Sequence, residues 1–182
     1  MSATEAATRI QTLLDALKAD FPRLKEELEQ RMKGYGIEES FSLEVEPAQA
    51  VQTIPTFKPG RDQQVSPMLK ARYDYAGAWK WAGDFWLGVN DMPRRMRSRS
   101  VKSYHRALRE NWEGSAPMLF PDERLSLFAI NEGVPDNLTY IVWGESKAEP
   151  ELWRYASLDS WRFKDLSEFL TWCLQGQEGA RP

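Results

Sequence analysis

Histidine and cysteine occur once each in 182 residues, and that scarcity removes whole classes of chemistry. Metal centres built on several His or Cys ligands need more of both than this chain holds. CxxC, HExxH and a glycine-centred Asp-rich calcium loop are all missing. A Ser or Cys nucleophile ordinarily relies on a histidine base; the one candidate is His105, and no spacing brings it to Cys173. Neither GxGxxG nor GxxxxGK followed by Ser or Thr occurs, so no phosphate-cradling loop is signalled. A carboxylate pair meeting from distant positions stays open, but among 27 acidic residues it carries no information. The sequence therefore predicts no catalytic, cofactor-binding or metal-binding residue. No apolar run approaches the roughly 18 residues of a membrane span. The opening MSATEAATRIQTLL has neither the basic start nor the apolar stretch of a secretory leader. A lone cysteine forms no internal disulfide, which fits a reducing compartment; a soluble cytoplasmic protein, without a membrane partner, is expected.

What is present is aromatic surface and unevenly placed charge. Eight Trp, eight Phe and six Tyr supply enough apolar area for a well-filled core. The length suits one domain: a helical segment over 1–36, a core over 37–175 and a frayed tail over 176–182. The net charge of −3 hides seven basic and no acidic residues over 92–109, followed by six basic and 13 acidic over 110–182. Such asymmetry speaks about partners rather than fold.

Ile10, Leu14, Leu17, Phe21, Leu24 and Leu28 recur at spacings of four and three, the stripe of an amphipathic helix. Pro22 after Asp20 suits a first turn and its cap, which predicts two helices, over 4–19 and 21–33. Phe41, Leu43 and Val45 alternate as a short strand. Four prolines between 47 and 67 mark a long loop. The period of two in Tyr73/Tyr75 and Trp79/Trp81 predicts a strand or hairpin. Asp91 and Pro93 open a helix expected to run to 112. Leu125–Ile130, Leu138–Trp143 and Glu151–Tyr155 read as antiparallel strands. Leu166, Phe169, Leu170, Cys173 and Leu174 line a closing helix. The fold class is α+β: an antiparallel sheet backed by helices, with amphipathic helices at the N-terminus.

Two charged surfaces compete as binding sites. On the predicted 91–112 helix, Arg95, Arg99, Lys102, Arg106 and Arg109 share one face, opposite Val101, Tyr104, Leu108 and Trp112. That face suits phosphates, an acidic protein, or acids of this same molecule. The overall pI of about 5.4 argues against a nucleic-acid reader. The second surface is acidic: Glu132, Asp136, Glu145, Glu149 and Glu151 fall in or beside the predicted turns of the C-terminal sheet, next to the aromatic Trp153. His105 reads as a helix-surface group and Cys173 as a small core residue.

The stretch 125–174 also resembles the C-terminal part of the SUKH superfamily of bacterial immunity proteins. The residues that carry the likeness are Phe128-Ala129, the turn from Gly133 to Asn137, the strand Tyr140 to Trp143, and Glu149-Pro150. Phe163, Leu166, Phe169 and Leu170 of the closing helix complete it. The resemblance covers about 50 residues and implies an antiparallel sheet backed by helices. It also implies a toxin-neutralising role by tight stoichiometric binding, with a cognate toxin as partner and the acidic turns and exposed aromatics as the contact surface. The alternatives are a protein-binding adaptor or chaperone using the N-terminal stripe, and a nucleic-acid binder using the basic helix.

Overall fold

The computed structural model describes residues 2–38, 40–81, 83–131, 133–134, 136–145 and 148–175. The first element, α1 (Ala3–Gly34), is one helix rather than the expected two, with Pro22 inside it. Asp20 caps nothing; its carboxylate pairs with Arg23, at 2.6 Å. The proline is tolerated because it faces solvent, while Leu17, Phe21 and Leu24 on either side of it stay buried. Packing of the stripe outweighs the hydrogen bond that Pro22 cannot donate. The helix starts at Ser2, whose hydroxyl accepts from Glu5 N while Glu5 accepts from Ser2 N, a reciprocal cap.

The expected strand over 41–45 shrinks to β1 (Glu44–Val45). The expected loop contains a small hairpin, β2 (Thr53–Ile54) with β3 (Gln63–Gln64). Tyr73 and Tyr75 belong to a helix, α2 (Pro67–Tyr75), which Ser66 caps and Pro67 opens. The period of two holds for the Trp pair alone: β4 (Trp79–Trp81) and β5 (Asp84–Trp86) form the hairpin. The single helix expected over 91–112 is broken into α3 (Met92–Met96) and α4 (Arg99–Asn111). Ser98 between them is extended, and its hydroxyl caps α4 at Val101 N. A short α5 (Ala116–Leu119) follows.

The C-terminal third matches its expected order: β6 (Leu125–Asn131), β7 (Leu138–Val142) and β8 (Glu151–Ala156), with α6 (Leu166–Leu174) closing. One strand, β9 (Asp159–Phe163), is additional, and it takes Phe163, expected in the closing helix, because Asp165 caps that helix only at Leu166. The sheet order is β1-β4-β5-β6-β7-β8-β9, antiparallel throughout.

Register and ring contacts assign the two faces of this sheet. Trp86 and Phe128 pack on Phe169 of α6, with α1 and α2 continuing that layer. Phe128 gains this orientation from an irregularity between Leu127 and Ala129. On the same face Arg154 crosses from β8 to Asp84 of β5, at 2.5 and 3.3 Å, both side chains buried. The opposite face carries Tyr140, Trp153 and Tyr155, covered by α4 and α5: the Tyr155 hydroxyl accepts from Ala116 N at 2.7 Å. No described helix is long and apolar enough to cross a membrane.

Candidate functional site

Beside the helices that cover the second face lies a cavity of about 730 Å³, between the β2–β3 connection and helices α3 and α4. The connection is a built wall. Thr56 is buried, with its hydroxyl 3.0 Å from both the Lys58 and Arg61 carbonyls. Phe57 N donates to Leu125 O at 2.9 Å, tying the wall to β6. Gly60 turns the chain at φ 75°, a left-handed conformation that favours glycine.

The floor is formed by rings. His105 is buried, not at the helix surface as its position between two faces suggested. It stacks on Phe57 at 4.2 Å between centroids, and both rings approach Tyr140. Its Nε2 lies 3.1 Å from Asp122 Oδ1 and its Nδ1 3.3 Å from the Tyr140 hydroxyl. A carboxylate only accepts, so Nε2 carries the proton and the Tyr140 hydroxyl donates to Nδ1. Both ring nitrogens are thereby used within the fold. Burial pushes the His105 imidazole down from its ordinary value, with the Arg109 charge adding to the fall, against the opposing pull of Asp122. The neutral ring is the form the site holds. Burial pushes Asp122 up, but the Arg109 hydrogen bond at 2.6 Å and its charge outweigh this and hold the carboxyl below the usual range. Arg109 also donates to Pro117 O at 2.7 Å.

The basic face expected on one helix is therefore divided. Arg95 lies on α3 with its guanidinium over the Phe85 ring. Arg109 is committed to Asp122, and Arg99 is exposed outside the cavity. Lys102 and Arg106 do line the cavity, joined by Arg97, which the single-helix reading left out. These three are exposed and form no ion pair among the described residues.

The acidic surface is divided as well. Asp136 stands where β7 begins, and its charge reaches Tyr104 of α4. Glu145, Glu149 and Glu151 stand at the other end, where Val142 pairs with Glu151; β7 separates the groups by about 15 Å at 3.3 Å per residue. Glu145 is open to solvent, 86% exposed, and pairs with Arg124 at 3.0 Å. Glu149 is half-buried and accepts from Met68 N at 2.9 Å in the first turn of α2; burial pushes its carboxyl up. Glu151 accepts from Trp153 Nε1 at 2.8 Å. Trp153 is buried, correcting its expected place among exposed aromatics. The alternation of β8 turns it inward onto Phe120, with the Arg162 guanidinium 3.8 Å over its ring. Glu132 and the tail over 176–182 lie outside the described residues.

Cys173 is buried in α6, and burial pushes its thiol far up, away from thiolate reactivity. The N-terminal stripe packs on α2 and α6, so its apolar face is used within the domain.

The fold and site together define an α+β protein with a seven-stranded antiparallel sheet, a two-stranded sheet, helices on both faces of the larger sheet and a cation-rimmed cavity. No protein-family model, no curated protein and no solved structure matches the chain.

Proposed function

We propose that this chain is an immunity protein, which binds a toxin protein from a competing bacterium and blocks its active site or substrate access. Binding is stoichiometric and requires no catalysis by this chain. The observation that carries the reading is the order of elements over 125–174. Strand, turn, strand, the Glu149-Pro150 turn and strand occur in the sequence the SUKH resemblance implies, and the closing helix comes after one further strand, β9, that it does not include. The engagement of both His105 nitrogens and the burial of Cys173 support binding over nucleophilic chemistry.

The docking edge in this reading is the β7–β8 connection. Glu145 offers an exposed carboxylate there, and Glu151 stands at the same end. Such charges steer encounter with a cationic partner surface and exclude acidic ones. Glu149 contributes indirectly, by fixing the connection to α2.

Affinity capture on the tagged full chain tests the reading. One near-stoichiometric protein should be retained that is toxic when expressed alone and harmless when co-expressed. Glu145→Lys should weaken that complex roughly tenfold while melting like the parent, since an exposed ion pair contributes at most about 1 kcal/mol. Retention of nucleic acid alone would contradict the proposal. A toxin bound equally well by Glu145→Lys would move the docking edge elsewhere.

A further inference from the structure

The cation-rimmed cavity plays no part in that docking edge, and its own chemistry points to a different ligand. We infer that it is a binding site for a small phosphorylated molecule carrying a planar ring, of the mononucleotide class. Its volume of about 730 Å³ falls within the roughly 300–1,000 Å³ of small-molecule sites. Its lining has the two parts such a ligand requires. Apolar surface comes from Phe57, Met96 and the prolines Pro55, Pro59 and Pro93. Phe57 is held rigidly by its stack on His105 and its backbone bond to Leu125, which preorganises a flat surface for a ring.

Charge comes from Arg97, Lys102 and Arg106 at the rim. Arg109 and Asp122 also line the cavity, but they neutralise each other at 2.6 Å. The three unpaired cations face two rim carboxylates, Asp62 and Glu110, which leaves the cavity net positive. That balance selects among anions. A compact phosphate reaches the cations and avoids the carboxylates, and guanidinium groups suit phosphate oxygens in bidentate geometry. An extended nucleic-acid backbone or an acidic peptide crossing the rim meets Asp62 and Glu110 as well, and is disfavoured by like-charge repulsion. The His105 ring stays neutral and fully bonded, so it supports Phe57 from beneath rather than contacting the phosphate.

Calorimetric titration of the full chain with AMP, adenosine and inorganic phosphate tests the assignment. AMP should bind with a dissociation constant below about 1 mM, and adenosine and phosphate each roughly tenfold more weakly. The variant Arg97→Gln/Lys102→Gln/Arg106→Gln should lose AMP affinity by roughly tenfold or more. Should that variant fail to fold, Lys102→Gln alone should weaken AMP measurably. No heat from AMP, GMP, CMP or UMP at about 5 mM would overturn the inference. So would unchanged affinity in the variants, phosphate binding as tightly as AMP, or displacement of AMP by a short polyglutamate peptide at equal concentration. Toxin capture and the Glu145→Lys result are independent of every one of these outcomes.

Discussion

The two faces of the sheet differ in how they treat polar groups: one seals them in, the other leads them to a cavity. Beneath α1, α2 and α6 the layer is closed: Trp79, Trp81, Trp86, Phe128 and Phe169 are all buried. The ion pair of Arg154 with Asp84 is sealed inside. Beneath α3, α4 and α5, the side chains of Tyr140, Trp153 and Tyr155 are buried as well, but a cavity adjoins this layer. There the polar groups form a shared network, from Tyr140 through His105 and Asp122 to Arg109, ending at a cavity. A sealed charge pair serves one geometry only, because its desolvation is offset solely by the matching partner. A network at a cavity wall can hold rings and cations in place while leaving part of its surface free for a ligand.

Breaking the closed face should give the largest effect. Asp84→Leu leaves the Arg154 guanidinium buried without its carboxylate, and the expected loss is about 3–5 kcal/mol in chemical denaturation. The double variant Asp84→Leu/Arg154→Met should recover most of that loss, since no unpaired charge remains. Equal losses in the single and double variants would mean that side-chain shape, not charge pairing, sets the cost.

The open face should reveal itself through pH, with a smaller effect. His105 has its proton affinity lowered in the fold, so below about pH 6.5 the unfolded chain takes up a proton that the folded chain resists. Stability contributed by the neutral ring is thus present above that pH and declines as pH falls toward the lowered folded value. Asp122 is lowered too, and its contribution persists until pH falls below the ordinary carboxylate range. Glu149, raised by burial, acts in the opposite sense. Comparison with His105→Gln isolates the histidine. Melting temperatures recorded from pH 7 to pH 5 should fall more for the parent than for this variant; parallel curves would show that the ring titrates as if exposed.

The closed face was the more legible of the two in the sequence. The stripe from Ile10 to Leu24 and the helix from Leu166 to Cys173 announce their burial through spacing alone. The strands over 125–156 are apolar runs bounded by turn residues. Where local signals failed, longer-range packing had overruled them. Pro22 is carried through α1 because the residues around it are buried. Tyr73 and Tyr75 sit at strand spacing yet belong to α2, whose cap at Ser66 and opening Pro67 were the stronger cue. The turn before β9 is Ser157-Leu158, with Ser157 at φ 54°; it lacks the Asn-Gly chemistry that signals a tight hairpin.

The open face was legible only in its composition. A run of seven cations over 92–109 marked the region, but the helix break at Ser98 redistributes them. Arg97 enters the cavity, while Arg95 goes to Phe85 and Arg109 to Asp122. The floor joins residues 57, 105, 122 and 140, and no spacing rule connects positions so far apart. A cue did exist for His105: it lies four residues after Val101 and three before Leu108, on the edge of the apolar stripe of α4. The acidic turns misled because alternate residues of a strand face opposite ways and the two ends of a hairpin are distant. Trp153 was turned inward and Asp136 was separated from Glu145 on those grounds.

The division of labour between the faces is tested most directly by a melting curve of Arg97→Gln/Lys102→Gln/Arg106→Gln beside the parent. If the rim cations serve the proposed ligand rather than the fold, the two midpoints should agree within about 2 °C, with removal of like-charge repulsion favouring the variant if either. A midpoint lowered by about 8 °C or more, a loss of roughly 2–4 kcal/mol, would contradict the account, because it would make the cavity rim part of what holds the protein together.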